Sequence, residues 1–125
     1  MLVMALLAGC GSEPIGRCVE GRSIPGTAQV ASISSPPPPG ELACANDPVQ
    51  VLLDFTPASS ADASFAASGV PLLLPPGKHP PRAWVEASGL AVSSSHPARY
   101  VQHGPCPPTL ELTDLDYAAG EAACP

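Results

Sequence analysis

Eighteen prolines spread through 125 residues break this chain into short segments, and that limits what it can fold into more than any other feature. Proline fixes φ and removes a backbone donor, so a helix interior or a central strand position rarely accepts it. No apolar pattern of helical period persists between the prolines. The surviving signals are short runs of alternating character separated by turn residues, which predict an all-β domain of the β-sandwich type with proline-rich loops. Leu, Ile, Val and Phe supply only 27 side chains, because much of the apolar fraction is Ala. A single small domain of that make-up buries little area and calls for covalent help.

The clearest strand runs from Val49 to Thr56, with Val49, Val51, Leu53 and Phe55 alternating onto one face between Asp47-Pro48 and Pro57. Residues 16–35 carry isolated apolar residues (Val19, Ile24, Val30, Ile33) and predict one or two weak strands around a turn at Pro25-Gly26. Pro36 to Pro39, followed by Gly40, must be extended polyproline or loop, and the cysteines on either side favour a rigid crossover over a linker. Ala58 to Gly69 reads as loop or helical turn through Phe65. Val70 to Leu74 reads as an edge strand, where proline is tolerated. Pro75-Pro76-Gly77-Lys78 is a turn. Arg82 to Ala87, which holds Trp84, is expected to be a core strand. Further strands are expected at Ala98–Gln102 and Thr109–Leu115, and the tail should be pinned at Cys124.

Leu2 to Ala8 form a short apolar run that ends in Leu7-Ala8-Gly9-Cys10. This resembles the lipobox of bacterial lipoprotein precursors. The resemblance implies cleavage before Cys10 and a diacylglyceryl group on its sulfur, with residues 1–9 as signal peptide. Residues 10–15 would then be a lipidated tether, and 16–125 one β-rich domain with its proline-rich loop at 36–40. Small residues ahead of the cysteine suit a protease cleft, and acyl chains hold a protein to a membrane by about 0.8 kcal/mol per buried methylene. The run lacks the basic residues that usually precede such a segment, which puts the expected start upstream of Met1 or implies a trimmed N-terminus. Bacterial lipoproteins with such a front end are often sent to the outer membrane unless Asp follows the cysteine, and Gly11 follows here, which favours that membrane in a cell that has one. No other apolar run approaches the ~20 residues a spanning helix needs. The expected address is the cell envelope, with the membrane as partner through Cys10.

A lipid on Cys10, as the resemblance implies, would also account for an odd cysteine count. Of five cysteines, Cys18, Cys44, Cys106 and Cys124 remain as disulfide candidates. Three pairings are open to them, and nearest neighbours, Cys18 with Cys44 and Cys106 with Cys124, are preferred. Zinc is disfavoured because no Cys-x-x-Cys pair exists.

A formal charge of −6, with five basic residues and none after Arg99, excludes nucleic acid as a partner. His96, His103 and Cys106 could chelate copper or zinc, but they stand in proline-rich stretches, and His79 and His96 read as exposed loop histidines. Ser93-Ser94-Ser95-His96 sets hydroxyls beside an imidazole, with Asp54 or Asp114 as a third member. Neighbouring residues seldom align as nucleophile and base, and no Gly-x-Ser-x-Gly elbow is present. Glu111, Asp114 and Asp116 read as a solvated strand end instead of a calcium site, since EF-hand spacing is missing. The expectation is a non-catalytic structural or ligand-binding envelope module without cofactor, whose partner is an envelope protein or a small ligand. The rival is a small metal-binding protein or enzyme using His96 and His103.

Overall fold

The computed structural model describes residues 18–125. The expected signal peptide, the Cys10 lipidation site and the tether therefore lie outside the described residues. Five antiparallel strands form one sheet in the order β3-β2-β1-β4-β5. They are β1 (Ser23–Ser34), β2 (Gln50–Pro57), β3 (Ala67–Pro71), β4 (Ser95–His103) and β5 (Cys106–Leu112). Two six-residue helices, α1 (Arg82–Ala87) and α2 (Tyr117–Ala122), and a 3-10 turn at Ser60–Phe65 complete the elements. The domain is mostly β, as the alternation predicts, and the sheet curls into a half-barrel. A second facing sheet, which a sandwich requires, is not present among the described residues. Helices and loops cover the core face instead, with Leu72, Leu74, Trp84, Val85 and Leu90 packed against Ile24, Ala28, Val51, Leu53 and Phe55.

Residues 23–34 form one twelve-residue strand at the centre of the sheet and pass straight through Pro25-Gly26, where the sequence predicts a turn. The reason lies in which edge the proline amide faces. The Pro25 carbonyl accepts from Ala58 N at 3.0 Å, so its backbone polar edge points toward β2, one step beyond the last ladder pair, Gly26–Pro57. The missing N–H forgoes only the single return bond to the Ala58 carbonyl at the end of the ladder and breaks no bond within it. Pro97 in β4 repeats the arrangement. Its carbonyl accepts from Thr113 N at 2.9 Å, just past the terminal β4–β5 pair, Ala98–Leu112. Gly26 is chosen for space: a Cβ there would lie 2.3 Å from the Thr56 carbonyl oxygen and 2.7 Å from the Phe55 ring.

β2 carries the predicted face, with Val51, Leu53 and Phe55 buried and Val49 buried just before it. The edge strand falls at 67–71 instead of 70–74, and Leu72 and Leu74 turn into the core after leaving it. Leu74 and Lys78 close the Pro75-Pro76-Gly77 turn, where Gly77 takes φ +137°.

Arg82–Ala87 is a helix, and the expected Trp84 strand is thereby corrected. Pro81 is extended and opens α1, and Arg82 is held at its start by Asp47 through both backbone and side chain. The end is a Schellman motif: Leu90 N bonds Val85 O, Gly89 N bonds Glu86 O, and Gly89 takes φ +78°. α2 starts at Asp116, whose carboxylate accepts from Ala119 N at 3.0 Å. The two helices meet at Gly120, where a Cβ would sit 2.8 Å from both the Trp84 ring and Leu74.

The disulfides join Cys18 to Cys106 and Cys44 to Cys124, with Cα atoms 5.4 and 5.0 Å apart. The nearest-neighbour pairing is thus overturned, and sheet order explains why. β1 lies beside β4, with Ser23 opposite Val101, so the residues leading into β1 reach the start of β5. Cys44 stands in the β1–β2 crossover, next to the segment that follows α2, where Asn46 Nδ2 donates to the Ala123 carbonyl. Each bridge therefore ties one end of the described domain to a segment at least 80 residues away.

Candidate functional site

The two ends of β4 hold different chemistry. At its C-terminal end an open cleft of about 580 Å³ lies between the 73–77 turn and the β4–β5 hairpin. Leu73, Leu74, Pro75, Pro76, Leu110 and Tyr117 give it apolar walls, and His103, Thr109 and Glu111 give it a polar rim. The proline pair and the half-exposed Leu73 are held there by the Leu74–Lys78 turn bonds. On the rim His103 Nε2 shares a hydrogen bond with Thr109 Oγ1 at 2.7 Å, and Glu111 is ion-paired with Arg99 at 2.9 Å. The cleft is not legible in the sequence, because its walls come from four segments scattered over 45 residues.

The Tyr117 hydroxyl accepts from Leu112 N at 2.9 Å. Burial raises its pKa above the ordinary value of 10.0; the Leu112 bond works in the opposite direction, and Glu111 and Asp114 add smaller raising contributions. The neutral phenol is thus favoured by folding. Stability from this group is complete below the unfolded pKa of about 10 and is lost as pH rises from there through the folded value. Tyr117→Phe should flatten the alkaline decline in urea melts between about pH 9 and 11 relative to wild type. An unchanged slope would contradict the assignment.

At the N-terminal end of β4, three polar residues join in one chain. Ser94 Oγ lies 2.8 Å from His96 Nε2, and His96 Nδ1 lies 3.0 Å from Asp114 Oδ2. The expectation that neighbouring serine and histidine would not align is overturned for Ser94. Residues two apart in extended chain project to the same side, and 94 and 96 have that spacing. Asp54, the other carboxylate considered, accepts from Gly69 N instead.

The remaining histidine readings also change. His96 is buried at 7% exposure, and His79 is buried at 1%, not exposed. His79 Nε2 meets Glu41 Oε1 at 2.6 Å, and its Nδ1 has no hydrogen-bond partner. His96 and His103 stand seven residues apart on one strand, ~23 Å at the usual rise, so they cannot share a metal ion. Cys106 is taken by Cys18. Among the described residues no group of three His, Cys, Asp or Glu is placed to hold a metal. The three late carboxylates have separate partners: Glu111 pairs with Arg99, Asp114 with His96, and Asp116 caps α2.

Compared with known proteins, the chain matches no family model, no curated protein and no solved structure. The functional reading therefore rests on the residues and their geometry.

Proposed function

We propose that this chain is an exported, lipid-anchored binding module of the cell envelope, attached through Cys10 and folded as a disulfide-stapled half-barrel. The observation that carries the reading is how the cysteines are used. All four described cysteines are consumed in two bridges, which suits an oxidising compartment, and the fifth is the cysteine of Leu7-Ala8-Gly9-Cys10. No helix among the described residues is long and apolar enough to cross a membrane. The Gly at position 11 favours the outer membrane in a cell that has one. Expressed in a bacterium behind a complete signal sequence, the protein should sediment with membranes and be released by detergent. Cys10→Ser should move it to the soluble fraction. Equal partition of the two forms would reject the anchor.

The ligand we assign to the cleft is a small apolar molecule with one polar end. The volume falls in the range of small-molecule sites, and apolar walls with a few polar rim groups are their usual lining. The neutral fluorophore N-phenyl-1-naphthylamine should bind saturably with enhanced emission. Leu73→Asp puts on the wall a carboxylate that a bound apolar molecule would have to strip of water, so affinity should fall at least ~10-fold. Unsaturable emission, or equal affinity in the variant, would reject this occupant.

A further inference from the structure

We infer that Ser94 is an activated nucleophile for small, unhindered acyl esters, with His96 as its base and Asp114 as the group that positions the base. This goes beyond the binding reading and is independent of it, because the site lies at the opposite end of β4 from the cleft.

The atoms are the ones such chemistry needs. The Ser94 hydroxyl meets Nε2, and the carboxylate meets Nδ1 of the same ring. An imidazole that donates Nδ1–H to Asp114 turns Nε2 to Ser94 as acceptor, the arrangement a base for this hydroxyl requires. His96 is 9% exposed as a side chain and Asp114 41%, so the base is sheltered from water while its partner lies nearer the surface. Ala91 N–H donates to Ser94 Oγ at 3.1 Å and so favours the developing alkoxide. A hydroxyl that only closed this turn would need the Ala91 bond alone; the imidazole and the carboxylate behind it are additional.

The segment is held firmly. Ser94 N donates to Ala91 O, Ser93 N to Val30 O, and Val30 N to Ser94 O. Ser93 takes φ +76°, which turns the chain into β4. Val92 and Ser93 are exposed and Ser94 is half-buried, so the hydroxyl sits at a shallow surface. That shape suits a short acyl group, not a long chain.

In the reaction Ser94 Oγ forms a bond to the acyl carbon while its proton passes to His96 Nε2. The ester C–O bond breaks, and the leaving alcohol takes that proton. Water then attacks the acyl-serine, gives a proton to Nε2, and Ser94 recovers it as the carboxylic acid departs. A positioned base of this kind contributes typically 10²–10⁴-fold.

The test uses the oxidised protein with a fluorophosphonate reagent, located by peptide mass, and p-nitrophenyl acetate. Ser94 should be labelled at least ~100-fold faster than Ser93 and Ser95 in the same peptide, and Ser94→Ala should reduce p-nitrophenol release to the buffer rate. Asp114→Asn should slow labelling and shift its pH profile, and Asp114→Glu should restore both in part. Labelling of Ser94 no faster than of its neighbours would overturn the inference, whatever the variants do. So would undiminished ester hydrolysis by Ser94→Ala.

Discussion

Reduction of the two disulfides is expected to unfold the domain at neutral pH and ambient temperature. Each bridge closes a span of 80 or more residues, and a loop of that size removes about 4–5 kcal/mol of unfolded-chain entropy. Domains of this size are typically stable by only about 5–15 kcal/mol, and this one buries few large aliphatic side chains. Losing both bridges therefore removes most or all of the margin. The paired substitution Cys44→Ala with Cys124→Ala should cost about 2–5 kcal/mol and leave the sheet marginally folded, since its ladders do not depend on that bridge. Circular dichroism during titration with a reducing agent measures the first effect, and urea melts measure the second. A fully reduced chain that keeps its native spectrum and melt would show that the core alone suffices.

Trp84→Ala is expected to be the most damaging single side-chain truncation. Trp84 is 6% exposed, its ring packs against Gly120 and Tyr117, and its Nε1–H donates to the Asp116 carbonyl. Truncation leaves a void between α1 and α2 and costs about 3–5 kcal/mol. For a domain near 100 residues that lowers Tm by roughly 15 °C. Because Asp116 also caps α2, the loss should loosen the segment leading to Cys124, and amide exchange should rise first across residues 117–123. Trp84→Phe keeps most of the volume and should cost clearly less. Equal melting of wild type and Trp84→Ala would mean that the helical layer contributes little to the core.

The sequence was most legible where local pattern and tertiary packing agree. Val51, Leu53 and Phe55 alternate because one face of β2 is buried, and period two is the direct trace of that arrangement. Leu110 and Leu112 in β5 follow the same logic. Legibility failed where a residue's backbone role depends on its neighbours in space. Pro25-Gly26 is a strong turn signal in isolation, and it is overridden because the proline amide faces a position where the ladder has ended. Trp84 and Val85 favour strand by propensity, yet Pro80-Pro81 before them and Ser88-Gly89 after them bound one and a half helical turns. Those flanking signals were present in the sequence, and the Gly89 stop was the more telling one. Disulfide pairing followed strand order, which sequence proximity does not encode. Burial of His79 and His96 was equally hidden, since each is enclosed by segments distant in the chain. The Ser94–His96 spacing, by contrast, was readable once residue 96 was placed in a strand.

We propose that this polypeptide leaves the cytoplasm, acquires lipid on one sulfur and locks its fold with the other four. The most direct test is a non-reducing peptide map of protein recovered from its native compartment, with exposed thiols alkylated first. The account predicts a Cys18–Cys106 peptide pair, a Cys44–Cys124 pair and an acylated peptide beginning at Cys10. Alkyl groups on all five cysteines of a lipid-free cytosolic protein would contradict it.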